Sequence, residues 1–161
     1  MKLVFISSLN FSGSTLLDLL LGAHSKIFGI GEIDALLNPQ RSKKFLHTVN
    51  DVVCKCGKTM TECEIWGPFI DYLNENASED YQPKYRKMLD IMGDQFGEDI
   101  FITDSSKYLS PLTNLLNHYQ DRGLESKDVY VIHLMKDVRC LATSMKRSNG
   151  GSSFDEFKYF N

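Results

Sequence analysis

No apolar run in the 161-residue chain approaches the roughly 20 residues that a membrane-spanning helix needs. Basic residues are not in excess either. A formal net charge of -3 gives no general affinity for nucleic acid or an anionic membrane, so any anion site has to be local. Internal repeats and low-complexity tracts are absent. The first apolar run, Leu3-Val4-Phe5-Ile6, is far too short for a signal-peptide core, and no cleavage site follows it. It reads as a strand that starts at once, in a cytoplasmic protein. Cysteine is sparse: Cys54, Cys56, Cys63 and Cys140. In a reducing compartment the first three, clustered as they are, suggest thiols or a metal site rather than a disulfide framework.

What is present suits one soluble globular domain over residues 1–161. Hydrophobic residues make up 42% and charged residues 24%. Short apolar β runs at Leu3–Ser8, Asp99–Thr103 and Val129–Leu134 alternate with helical patterns, which argues for a parallel sheet in an α/β domain. Helices are expected over Ser14–Ala23, Glu32–Leu37, Pro68–Asn76, Pro83–Phe96, Pro111–Gln120 and Asp137–Lys146. The first is apolar nearly all round and is expected to be buried. His133 lies in an apolar strand and reads as a core histidine. Cys140 reads as a packing residue. Residues 41–66 carry the cysteine cluster and read as an excursion from the main fold.

The strongest local signal is the strand Leu3–Ser8, the loop Leu9-Asn10-Phe11-Ser12-Gly13 and the helix start Ser14-Thr15-Leu16-Leu17. A strand that turns through a glycine into a helix aims several backbone N–H groups at one point, and the helix dipole adds positive potential there. Ser12, Ser14 and Thr15 add hydroxyls, and Gly13 lets a phosphate come close. The competing reading is an ordinary helix start capped by Ser12 or Ser14. A nucleoside triphosphatase loop is disfavoured: Ser14 stands where that motif needs lysine, and Ser8 where it needs its first glycine.

Ser12-Gly13-Ser14-Thr15-Leu16-Leu17, followed by Leu20-Leu21-Gly22-Ala23-His24 and Gly29-Ile30-Gly31-Glu32, resembles the 5'-phosphosulfate loop of sulfotransferases that use 3'-phosphoadenosine 5'-phosphosulfate (PAPS). The tyrosylprotein and carbohydrate sulfotransferases and related bacterial families are the relevant group. The resemblance covers residues 3–34, 101–108 and 130–147. It implies a three-layer parallel sheet of the P-loop nucleotide-binding type, with further elements beyond the third motif. It implies that Ser12, Gly13, Ser14 and Thr15 hold the 5'-phosphate and that Glu32 is the catalytic base. Asp104-Ser105-Ser106-Lys107 matches a family segment in which the lysine faces the phosphosulfate. Lys136 and Ser144, eight residues apart, match the family's 3'-phosphate pair, with lysine standing where arginine is usual. Phe11 departs from the lysine or arginine that normally precedes the Ser-Gly pair.

Each of these residues also has a plainer reading. Lys107 is then a solvated lysine beside a helix cap, Glu32 an acid favoured by a helix N-terminus, and Arg139 a surface cation. The function implied is sulfuryl transfer from PAPS to an acceptor hydroxyl or amine on a small molecule, carbohydrate or peptide. Adenosine 3',5'-bisphosphate (PAP) is the other product. The alternatives are a binding module without chemistry and, further off, a nucleotide kinase. Cys54-Lys55-Cys56-Gly57 with Cys63 and Trp66 resembles a cysteine motif inserted in some bacterial sulfotransferase-like proteins. Three thiols are one ligand short of a structural zinc site, and His47 is the nearby conventional fourth. The preferred expectation is a small hydrophobic knot around Trp66 with no metal.

Overall fold

The computed structural model describes residues 1–38, 49–54, 56–108, 111–113, 116 and 128–148. His47, most of the expected helix Pro111–Gln120 and the tail from Asn149 lie outside them. In chain order the elements are β1 (Lys2–Ser8), α1 (Ser14–Leu21), β2 (Ile27–Gly29), α2 (Asp34–Leu37), a single 3-10 turn (Val49–Asp51), α3 (Trp66–Glu75), α4 (Tyr81–Phe96), β3 (Phe101–Lys107), β4 (Val129–Leu134) and α5 (Val138–Ser148).

The strands form one four-stranded parallel sheet in the order β2-β3-β1-β4. The molecule is therefore a small α/β domain, and β1 lies between the two other strands expected from the sequence. The edge strand β2 was not expected. At three residues it is too short to carry a period, and its apolar Ile27-Phe28 pair is the only local signal.

Side-chain alternation along the strands puts helices on both faces. Leu3 pairs with Ile102 and Phe5 with Asp104, so these four side chains share one face. Leu3, Phe5 and Ile102 pack there into the main core with Ile33, Leu36 and Leu37 around α2, Phe69 and Leu73 of α3, and Tyr85, Met88 and Met92 of α4. Val4 and Thr103 point to the other face. There the Thr103 hydroxyl donates to the carboxylate of Asp18 on α1.

That contact explains why α1 departs from expectation. The helix turns Ser14 and Asp18 inward, and Leu16, Leu19 and Leu20 are exposed. A carboxylate that finds a buried hydroxyl fixes the rotation of the helix, and the leucine face is left outward. The expectations for His133 and Cys140 fail for a related reason. β4 is a sheet edge on which Tyr130, Val131 and His133 are exposed, and Cys140 lies on the exposed side of α5.

β3 runs four residues past its expected end, so Asp104, Ser105, Ser106 and Lys107 are buried strand residues rather than a helix cap beside a solvated lysine. The side chains of Asp104, Ser106 and Lys107 have polar partners, as buried polar groups require. Asp104 accepts from Tyr85 Oη (2.9 Å) and from the Ser106 N–H (2.8 Å). Ser106 Oγ accepts from the Asp34 N–H at 3.0 Å.

Two expected outcomes follow from this packing. A Cβ at Gly67, in the first turn of α3, would stand 2.5 Å from the Thr61 carbonyl oxygen. Alanine there improves helix propensity by at most about 1 kcal/mol, whereas the backbone clash costs about 1–3 kcal/mol. Gly67→Ala should therefore lower the denaturant midpoint. The second outcome concerns Asp104, which is fully buried. Burial raises its carboxyl to about 6 from the usual 3.8, against the pull of the Ser106 and Tyr85 hydrogen bonds. The folded chain holds this proton more tightly than the unfolded chain does. Its contribution to stability is thus present below about pH 4 and is lost as pH rises to about 6. Asp104→Asn keeps the shape of the neutral acid and should flatten stability across that window. An unchanged slope would show that another group carries it.

Candidate functional site

The carboxyl ends of β1, β3 and β4 come together at one edge, where α/β sheets place their ligands. Ser7 aligns with Lys107, and Ser8 with Leu134. The loop after β1 is tied to both neighbouring strands. Asn10 Nδ2 donates to Tyr108 Oη just beyond β3 (2.8 Å), and Lys136 Nζ donates to the Phe11 carbonyl from beyond β4 (3.0 Å).

The helix start is not capped by a serine. Gly13 is the N-cap residue, in the left-handed conformation (φ 99°), and no side chain caps α1. Its carbonyl accepts from the Leu17 N–H, which leaves the amides of Ser14, Thr15 and Leu16 outside the helical ladder. A Cβ built on Gly13 would meet nothing within 4 Å, so the space beside the turn is open. The Oγ atoms of Ser8 and Ser12 are buried with no hydrogen-bond partner. A buried hydroxyl without a partner is costly, and two at one loop suit an arriving oxyanion. Phe11 also adopts the left-handed conformation, at φ 64°. A residue with a side chain is strained there, and this bend turns its carbonyl toward Lys136.

Lys107 is positioned by an irregularity in the sheet. Between the Phe5–Asp104 and Ser7–Lys107 pairs, β3 advances by three residues while β1 advances by two. Such a bulge re-aims a side chain, and Lys107 ends in the left-handed conformation at φ 70°. Its side chain is 7% exposed, and its ammonium group pairs with the Glu32 carboxylate. Lys107 is therefore not a solvated lysine. Glu32 comes from the turn after β2, which lies against β3 through the Ile30 N–H to Thr103 carbonyl and Ser105 N–H to Gly31 carbonyl bonds, both 2.9 Å. Helix α2 begins only at Asp34, so the Glu32 carboxylate is turned to Lys107 from a position before the helix.

Lys136 and Ser144 meet directly, with Nζ 2.8 Å from Oγ. Arg139 instead folds back on Asp137 in a two-point contact of 3.0 and 2.9 Å, and this guanidinium holds the Asp137 carboxyl below its usual range. Arg139 is the surface cation of the plainer reading.

Ser12, Gly13, Ser14, Thr15, Glu32, Lys107, Lys136 and Ser144 thus converge on one sheet edge. Sequence reasoning missed Asn10 and Tyr108, which brace the loop, and Ser8, which it took only as a missing glycine. No helix among the described residues is long and apolar enough to cross a membrane. No family model, curated protein or solved structure matches the chain.

Proposed function

We propose that the chain binds PAPS at this edge and transfers its sulfuryl group to an acceptor hydroxyl or amine, in the manner of the P-loop sulfotransferases it resembles. The observation that carries the reading is the meeting of Lys136 and Ser144 beside the loop, with Lys136 also touching Phe11. A cation and a hydroxyl eight residues apart suit a second phosphate, distinct from the one a glycine turn would take. The partnerless hydroxyls of Ser8 and Ser12 and the open space at Gly13 fit the first.

In this reading the Ser14 and Thr15 amides and the Ser12 hydroxyl hold the 5'-phosphate. The donor supplies a sulfur atom open to in-line attack. As the acceptor oxygen or nitrogen bonds to sulfur, the bond from sulfur to the bridging oxygen breaks, and Lys107 stabilises the charge left on that oxygen. Glu32 takes the acceptor proton. The transferred group carries less charge than a phosphoryl group, so no metal is required. Phe11 in place of a cation favours a second reading, a module that binds the nucleotide without chemistry.

Binding separates these readings from an unrelated α/β domain. PAP should bind at least about tenfold more tightly than 5'-AMP, because only PAP offers a 3'-phosphate for a charge-assisted contact. Calorimetric titration measures both. Equal affinities would overturn the 3'-phosphate assignment. Turnover of PAPS then divides enzyme from binding module.

A further inference from the structure

Among the described residues before α3, the core is small: Val49 and Met60 with Ile70 of α3, and Val52 and Trp66 against them. The strand pairing described there is an isolated bridge between Val53 and Thr59. A core this small does not normally hold a segment in place without a cross-link.

Cys54, Cys56 and Cys63 lie at this point, their three Sγ atoms all within 4.8 Å of one another and those of Cys54 and Cys63 at 3.5 Å. Cys56 is an exposed residue, yet its sulfur is turned toward the other two. A tetrahedral zinc ion with Zn–S bonds of about 2.3 Å needs sulfurs about 3.8 Å apart, which falls within this spread. Reaching a disulfide bond length of about 2.05 Å would take a larger movement from 3.5 Å, and it would leave Cys56 out.

The surroundings also suit thiolates. Gly57, at φ 85°, closes the tight turn in which its N–H bonds the Cys54 carbonyl at 2.9 Å. The N–H groups of Ile65 and Trp66 at the start of α3 point at the Cys63 sulfur. The Cys56 N–H is likewise aimed at the Cys54 sulfur. Backbone N–H groups aimed at sulfur are outer contacts that a thiolate metal site uses.

We infer that Cys54, Cys56 and Cys63 form a thiolate site for a zinc-type divalent ion, which pins the 49–65 segment to the start of α3. The small hydrophobic core against Trp66 expected from the sequence is present, and the ion is an addition to it. The ion's fourth position falls to a ligand other than these three. The site is structural and independent of the sulfuryl-transfer reading, because it touches none of the residues at the sheet edge.

The test uses the full chain, reduced and stripped with chelator, then titrated with Zn2+ or Co2+. One equivalent should bind. The Co2+ form should show thiolate charge-transfer absorption of three sulfurs with tetrahedral visible bands. With free Zn2+ at about 100 times its Kd, the melting midpoint should rise by roughly 5–10 °C. Binding should release protons and weaken at lower pH. Cys56→Ala changes an exposed residue and should weaken binding at least about a hundredfold, whereas Cys140→Ala should not. On the unmutated chain, Zn2+ should slow alkylation of the three cysteines and leave Cys140 reactive, a readout that does not depend on any variant folding. Absence of stoichiometric uptake, absorption from fewer than three thiolates, unchanged affinity in Cys56→Ala or alkylation indifferent to Zn2+ would each overturn the site.

Discussion

Lys136→Ala should lower PAP affinity about 10- to 150-fold while 5'-AMP binds nearly as before. The range corresponds to losing one charge-assisted contact of roughly 1.5–3 kcal/mol. The structure complicates the simplest version of this experiment. Lys136 also donates to the Phe11 carbonyl, so its removal frees one side of the loop that would hold the 5'-phosphate. Ser144 separates the two effects. Its Oγ meets Lys136 and the Cys140 carbonyl, with no contact to the loop given by either bond. If the pair binds the 3'-phosphate, Ser144→Ala should reduce PAP affinity alone, by several-fold. Lys136→Arg should keep the discrimination, because the guanidinium retains the charge and adds a fork. The preference for PAP should also shrink with salt, since Lys136 is exposed and its attraction is screened. A Lys136→Ala variant that loses both nucleotides equally, beside an unaffected Ser144→Ala, would show that Lys136 supports the loop and does not read the 3'-phosphate.

The central strands and the loop were legible in the sequence because each depends on local pattern, whereas the candidate site residues came from the resemblance. Leu3–Ser8 and Val129–Leu134 are apolar runs of strand length, and the glycine of Ser12-Gly13-Ser14 marks a strand-to-helix turn. The Lys136–Ser144 pair was singled out by the resemblance to the sulfotransferases, whose 3'-phosphate pair has the same eight-residue spacing. What could not be read depends on partners distant in sequence. The polar residues Asp104–Lys107 do not read as buried strand until Tyr85 and Asp34 are brought to their side chains. The outward leucines of α1 follow from Asp18 meeting Thr103, 85 residues away. The bulge that aims Lys107 exists only in the register between two strands. Exposure of His133 and Cys140 follows from β4 lying at the sheet edge, which strand composition does not reveal. The three cysteines were visible, but a knot and a metal site share one sequence pattern and differ in where the sulfurs point.

Glu32→Gln should leave PAP affinity nearly unchanged and lower transfer about 10²- to 10⁴-fold, the usual worth of a positioned general base. The ion pair with Lys107 makes this a sharper test than the sequence alone offered. Before the pair was visible, the competing role was a helix N-terminal acid, whose loss costs about 0.3–1 kcal/mol of stability. With the carboxylate turned to a nearly buried ammonium, the competing role becomes that of holding Lys107. Glutamine keeps an acceptor oxygen for that ammonium but has no charge and cannot take a proton. A purely holding role therefore predicts a stability loss of about 1–3 kcal/mol with transfer per folded molecule largely intact. A base predicts the loss of transfer even where the protein remains folded. The readout is PAP released from PAPS across a panel of hydroxyl and amine acceptors, with the folded fraction fixed by circular dichroism. Full turnover in Glu32→Gln, beside an active parent, would remove Glu32 from the chemistry. Lys107 would then be the group at this edge to test next.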